Sequence, residues 1–163
     1  MQKPDQLRRL LLQAVPGLAA NPERLALYVD AGTVAASAGN LSFEYRYTLN
    51  LVVQDFVGDR NLVIVPVLAW IAEAQPDLLA RPDSLPFKFE AEILDGEAAD
   101  LSITIALTEG VRVVTPDGGG YAVQHLDEPA GLDHFPGVCG ATLWQLFLRD
   151  QLIAQTSDPA FQP

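Results

Sequence analysis

The chain has 163 residues, 49% of them hydrophobic and 19% charged, which is typical of one globular domain of ordinary size. Its formal net charge of −11, with no basic patch interleaved with aromatic residues, argues against direct binding to duplex DNA. No apolar run reaches the roughly 20 residues of a membrane helix, and the N-terminus lacks the apolar core of a signal peptide. The single cysteine, Cys139, cannot form an internal disulfide, which favours a reducing compartment.

The first predicted elements are a helix and a long hairpin. Leucines recur at helical spacing over residues 4–14, and Pro16 and Gly17 are predicted to end this helix. Apolar and polar side chains then alternate through most of residues 24–54, with a turn near Gly39 and Asn40, which predicts two paired strands.

The second strand of that hairpin is predicted to have one buried and one solvated face, because successive side chains of a strand point to opposite faces. The residues of the predicted buried face are Leu41, Phe43, Tyr45, Tyr47, Leu49, Leu51 and Val53. The residues of the predicted solvated face are Glu44, Arg46, Thr48 and Asn50.

Residues 59–75 are predicted to form a buried helix. We expect it over most of 60–74, because the segment is apolar on all sides and ends in good helix formers. Pro66 is awkward there, since proline removes a hydrogen bond from a helix interior. The alternative is a short extended piece at 62–65 followed by a helix that begins near Pro66.

A second hairpin is predicted from residue 87 onward. Phe87, Phe89, Ala91 and Ile93 alternate with charged residues, and apolar residues alternate again over 101–107, so we expect both strands to bury one face. The chain continues to a glycine-rich turn at 116–120 and returns as a further strand.

The C-terminal part divides into two segments. Residues 127–141 have no periodicity and are rich in proline and glycine, which indicates a linker, and residues 142–155 suggest a small hairpin. The sequence therefore predicts an α+β fold, an antiparallel sheet built from two long hairpins with helices packed on one face. The predicted divisions are a core domain at 1–126, a linker at 127–141, and a C-terminal hairpin and tail at 142–163.

No catalytic, cofactor or metal site is predicted. His125 and His134 stand without a set of metal ligands, and alternation puts Glu90 and Glu92 on a solvated face. Strands flank the glycines at 118–120, so these form a hairpin turn and not a phosphate-binding loop.

The apolar residues of the C-terminal hairpin have two interpretations. They either form a core strand or dock on another chain, since exposed apolar patches mark interfaces. These residues are Trp144, Leu146, Phe147 and Leu148.

Several strings resemble the tail completion protein R family of P2-like contractile-tailed phages. They are KPDQLRR, the block NPERLALYVDAGTVAASAGNLSFEYRYTLNLVVQDFVGD, and above all LVIVPVLAWIAEAQPD. FEAEI, DLSITIALTE and LFLRDQLIA follow in the expected order, while 127–141 departs from the family. The order of helix, hairpin, helix and hairpin also resembles the tail terminators, which form sixfold rings.

The resemblance implies a structural virion protein at the head-proximal end of the tail, assembled in the host cytoplasm. Its implied partners are copies of itself in a ring, tail tube and sheath proteins, and neck or head-completion proteins, with no membrane, and with DNA only in transit through a lumen. Glu44, Glu90 or Glu92 would suit such a lumen. The family implies no catalytic residue and no cofactor.

The expected contact surfaces are the C-terminal hairpin and the solvated face of the second strand of the first hairpin (Glu44, Arg46, Thr48 and Asn50). Two other functions stay open: a non-ring adaptor that bridges tail and neck proteins, and a small hydrolase without recognisable motifs.

Overall fold

The fold is built on one antiparallel sheet with helices against one face. The structure, a computed structural model, describes residues 1–80, 83–93, 98–128, 145–148 and 151–155, the last two ranges by their backbone only. The helices are α1 (Lys3–Ala14), α2 (Pro16–Ala20) and α3 (Asn61–Ala74). The strands are β1 (Leu25–Ala36), β2 (Phe43–Val57), β3 (Lys88–Ile93), β4 (Ala98–Val114), β5 (Ala122–His125), β6 (Gln145–Leu148) and β7 (Gln151–Gln155).

The strand order in the main sheet is β1-β2-β4-β3, and every neighbouring pair is antiparallel. The outer side of β4 pairs with β3 along residues 99–104 and with β5 along residues 111–114. β6 and β7 pair with each other as the predicted small hairpin. The predicted α+β class and the two long hairpins in one sheet are confirmed.

The core lies between the sheet and the two longer helices. The odd-numbered side chains are buried along β2 from Tyr47 to Val53 and along β4 from Ala99 to Val111, and most of them pack against leucines of α1 and apolar residues of α3, because alternation turns them to the same face. The largest buried contributors are Leu7, Leu11, Leu49, Leu51, Ile71, Leu101, Ile103, Ile105 and Leu107. The even-numbered side chains point to the other face, which we call the open face.

The helix α3 confirms the prediction over 60–74 and excludes a start at Pro66. Pro66 lies inside the helix and is buried. It has no N–H to donate to the carbonyl of Leu62, one turn earlier. Val63, Val67 and Ile71 lie on the buried side, so packing against the sheet compensates for the missing hydrogen bond.

Two bulges interrupt the alternation of the hairpin. The β1–β2 register shifts between Asp30 and Thr33, where Ala31 has a φ of 50°. The β2–β4 register shifts between Val53 and Phe56, where Asp55 has a φ of 48°. Each bulge adds one residue to one strand, and the second one turns Phe56 into the core although its parity is even.

One prediction about local structure is confirmed and one is wrong. α1 ends at Ala14, before Pro16 and Gly17, as predicted, and Pro16 then begins the separate short helix α2, a position where its missing N–H costs nothing. Phe89 and Ile93 are 58% and 74% exposed instead of buried. β3 is an edge strand, and its helix-side face is left uncovered by the described elements.

The backbone of β7 lies beside α1 and α3, on the side of the sheet that carries the helices. Most of the predicted linker, residues 129–141, lies outside the described residues, so the predicted division of the chain stays a prediction. No helix in the described parts of the chain is long and apolar enough to cross a membrane.

Candidate functional site

The open face brings together four of the eight residues predicted to form an interface. Glu44, Arg46, Thr48 and Asn50 follow one another along β2, on the side of the sheet opposite the helices. Leu146, Phe147 and Leu148 belong to β6, in the separate hairpin whose β7 lies with the helices, and Trp144 lies outside the described residues. The two predicted surfaces are therefore not joined into one site.

An exposed ion pair lies on the open face near the start of β2. The Nε of Arg46 lies 2.5 Å from Oε1 of Glu44, and the two side chains are 63% and 41% exposed. An exposed pair of this kind contributes about 0–1 kcal/mol to stability. Both charges can therefore be redirected to a partner protein at little cost to the fold.

Farther along β2, the open face carries small polar groups. The hydroxyl of Thr104 on β4 donates to Oδ1 of Asn50 at 3.2 Å. Thr48 stands between Ala106 on β4 and Asp30 on β1, and Tyr28 beside Asn50 is exposed. Such an array offers hydroxyl, amide and charged groups to another protein surface.

A second polar cluster, missed by the sequence reasoning, is centred on Glu109 of β4. This residue is only 4% exposed. Its carboxylate accepts hydrogen bonds from the backbone N–H of Gln2 at 2.7 Å, from that of Lys3 at 3.4 Å, and from the hydroxyl of Tyr47. Because no side chain of its own caps α1, Glu109 acts as the cap, and its charge stabilises the positive end of the helix dipole.

Lys3 closes the gap that β3 and β5 leave on the outer edge of β4. Its Nζ donates to the carbonyl of Thr108 at 2.7 Å, to Oε1 of Gln75 at 2.6 Å and to Oε1 of Glu128 at 2.6 Å. Gln75 Oε1 also accepts the N–H of Thr108 at 3.1 Å. Two side chains thus satisfy the N–H and the carbonyl of Thr108, in the stretch of β4 between the residues that pair with β3 and those that pair with β5.

The same cluster fixes the protonation of Tyr47. Burial, followed by the hydrogen bond and the negative charge of Glu109, raises the pKa of Tyr47 well above its ordinary value. The phenol therefore stays protonated and keeps donating to Glu109.

A cleft of about 290 Å³ adjoins this cluster. Its lining includes Gln6, Glu73, His125 and Asp127. The Nδ1 of His125 lies 3.4 Å from Oε2 of Glu109 but forms no hydrogen bond. Within residues 1–80, 83–93 and 98–128, no three His, Cys, Asp or Glu side chains lie together as a metal site requires.

One signal in the sequence could have revealed the cluster. Glu109 continues the buried parity of Ile103, Ile105 and Leu107, and a carboxylate on a buried face needs partners. Lys3 gave no such signal, because its partner Thr108 is 105 positions away along the chain.

The family model of the P2 phage tail completion protein R (GpR) matches residues 1–129 of this chain. The chain belongs to this family. Tail completion protein R of Escherichia phage P2 is 46% identical to it over 132 residues, which cover 79% of this chain and 84% of the phage P2 protein. No solved structure matches the chain.

Membership in the tail completion protein R family confirms the resemblance predicted from the sequence. The family match includes α1, the open face and the Glu109 cluster. It ends before β6, so the predicted likeness of the C-terminal hairpin lies outside the matched residues and stays a prediction.

Proposed function

We propose that the chain is a structural virion protein that completes a contractile phage tail. It caps the head-proximal end of the tube and sheath and enables that end to join the head and neck proteins. The observation that carries this proposal is the family match, which spans the sheet, both long helices and the whole open face.

The cap is a ring of copies of this chain, in line with the fold analogy to the sixfold tail terminators. Copies in a ring meet through two different surfaces. When the rotation from one copy to the next closes the ring, growth stops, whereas a helical arrangement would continue to grow. The net charge of −11 suits a ring that DNA crosses, because like charges keep the duplex from adhering.

The open face is the surface through which the ring contacts a neighbouring tail protein. Both side chains of its ion pair are exposed, and its polar groups lie on a sheet instead of a loop. A flat array of small polar side chains favours a hydrated protein contact over the binding of a small molecule.

We assign the buried titratable groups a structural role and no catalytic one. Glu109 is engaged by backbone donors of α1, Tyr47 is held protonated, and Lys3 is surrounded by three acceptors. A general acid or base must instead exchange its proton with a substrate. The protein therefore acts by shape and contact, in the virion tail after assembly in the host cytoplasm.

The test is complementation of a phage that lacks this chain. Without the chain, we expect tails and filled heads to stay separate. When the chain is supplied, we expect them to join into complete particles. Arg46→Glu should reduce infective particles, whereas Arg9→Glu, with the same charge change on an exposed position of α1, should not. Normal head–tail joining without the chain would refute the proposal.

The ring is separated from the adaptor by mass and by imaging. The chain is weighed in solution, and virions labelled on this chain are imaged by negative stain. Several labels around the head-proximal tail end support a ring, and one label per particle would establish the adaptor instead.

A further inference from the structure

The main sheet ends at β1 on one side and, on the other side, at β3 and at the shorter β5. Among the described residues, no strand of this chain pairs with the outer side of β1 or of β3. All six residues of β3 are exposed, including the apolar Phe89 and Ile93. An unpaired edge with exposed apolar side chains is a template for a strand of another molecule.

The directions of the strands select what can be added. The order β1-β2-β4-β3 alternates in direction at every step, so the two edge strands run in opposite directions. When β3 of one copy is laid beside β1 of a second copy, with both sheets the same way up, the new pair is antiparallel. The alternation of the sheet then continues from one copy to the next.

We propose that β3 of each copy pairs with β1 of the next copy, with Lys88 opposite Asp30. This inference rests on the ring proposed above and assigns the contact between its subunits. In this register Lys88 and Asp30 both point to the open face, with opposite charges, while Phe89 and Val29 both point to the helix side. Opposite charges and apolar pairs that face each other across strands stabilise a sheet.

Features of β1 bound the new ladder at both ends. The Nη1 of Arg8 donates to the carbonyl of Leu25 at 2.7 Å, so the start of β1 is already engaged. The bulge after Asp30, with its positive φ at Ala31, interrupts the regular strand until Thr33. The free stretch is residues 26–30, which matches residues 88–92 of β3.

The register also contains a stagger. Within one chain, the row of paired residues that starts at Lys88 of β3 runs through Thr104 of β4 and Asn50 of β2 and ends at Tyr28 of β1. Pairing Lys88 with Asp30 of the next copy therefore shifts each copy by two residues. A shift by two keeps every side chain on its face, and a sheet that closes on itself needs a stagger of this kind.

Disulfide cross-linking tests the register directly. In a Cys139→Ser background, Phe89→Cys and Val29→Cys are combined in one chain. Residues opposite each other have Cβ atoms about 4.5–5.5 Å apart, close to the separation a disulfide needs after a small adjustment. We expect oxidation to give a ladder of linked copies that ends at the closed ring.

The matched control is Glu90→Cys with Val29→Cys, whose side chains point to opposite faces. It should cross-link about tenfold less, since the sulfur atoms cannot meet across the sheet. Phe89→Cys alone should give no dimer, and efficient dimers would show that β3 pairs with β3 and would overturn the proposal.

Charge reversal provides a second measurement. Lys88→Asp or Asp30→Lys should each raise the protein concentration at half-assembly about two- to fivefold, and the double exchange should restore it. Equal losses in the double variant and in the single variants would overturn the register.

The cross-linking is carried out on assembled tails as well as on the free protein. Tails that contain the double-cysteine chain and join heads, yet give no linked copies, would overturn the edge pairing and leave the proposed function intact. Tails that complete without containing the chain would overturn the proposed function itself.

Discussion

Replacing Glu109 with alanine should destabilise the fold, because three donors converge on its carboxylate. The backbone N–H of Gln2 and the hydroxyl of Tyr47 make strong contacts, and the N–H of Lys3 makes a weak one at 3.4 Å. With the carboxylate removed, α1 loses its cap and the phenol of Tyr47 loses its acceptor. Lys3 itself keeps its three acceptors, so no buried ammonium is left without a partner.

The size of the effect follows from these contacts. A buried donor left without an acceptor costs about 1–3 kcal/mol. Two such donors, of which the Gln2 N–H is only partly buried, predict that Glu109→Ala lowers the free energy of unfolding by about 2–4 kcal/mol. Glu109→Gln keeps the shape and one acceptor oxygen, so we expect a loss of about 1–2 kcal/mol.

Urea denaturation followed by tryptophan fluorescence measures these losses, since Trp70 is buried in the core. Amide hydrogen exchange at Gln2 and Lys3 should also accelerate in Glu109→Ala. A double-mutant cycle with Tyr47→Phe should give a coupling energy of about 1 kcal/mol. A loss below about 1 kcal/mol for Glu109→Ala would show that the three hydrogen bonds to its carboxylate do not stabilise the fold.

Three further predictions concern the core, the response to alkali and the sheet edge. Leu49→Asp should unfold the domain, because it buries an unpaired charge, while Asn50→Asp on the open face should leave it folded; circular dichroism distinguishes them, and a folded Leu49→Asp would mean that the strand faces are misassigned. Above about pH 10 the unfolded chain loses the Tyr47 proton while the folded chain keeps it, so stability should fall by up to about 1.4 kcal/mol per pH unit, and Tyr47→Phe should remove this part of the slope in urea titrations; an unchanged slope would contradict the raised pKa. Gln75→Ala should cost about 1–3 kcal/mol and speed amide exchange at Thr108, and unchanged exchange there would contradict the role of Gln75 as the acceptor of that N–H.

The sequence predicted the sheet well where burial alternates strictly. Tyr47, Leu49, Leu51 and Val53 of β2 are buried as predicted, whereas Phe43 and Tyr45 are half-buried and Leu41, which precedes β2, is 55% exposed. The prediction failed for β3, whose alternation is just as regular although Phe89 and Ile93 are exposed. Alternation reports that a strand has two different faces, but it does not report whether a helix reaches far enough to cover one of them.

The bulges and the polar cluster were not predictable in the same way. A bulge moves one residue out of phase, so Phe56 is buried although its even parity predicts the opposite face. The Glu109 cluster depends on contacts between the first three residues and a strand more than 100 positions later. Of the predicted interface, the grouping of Glu44, Arg46, Thr48 and Asn50 followed from parity, and their role as a contact surface stays a prediction.

The capping of α1 by Glu109 has a consequence for the order of events during translation. α1 leaves the ribosome before β4, and its cap is 107 residues downstream of Gln2. At the usual rate of about 5–20 residues per second, roughly 5–20 s pass before Glu109 is synthesised. During that time the positive end of α1 has no cap from the carboxylate of Glu109. A chain that is cut off before β4 therefore leaves the first N–H groups of α1 without their acceptor, and we expect that end of the helix to fray.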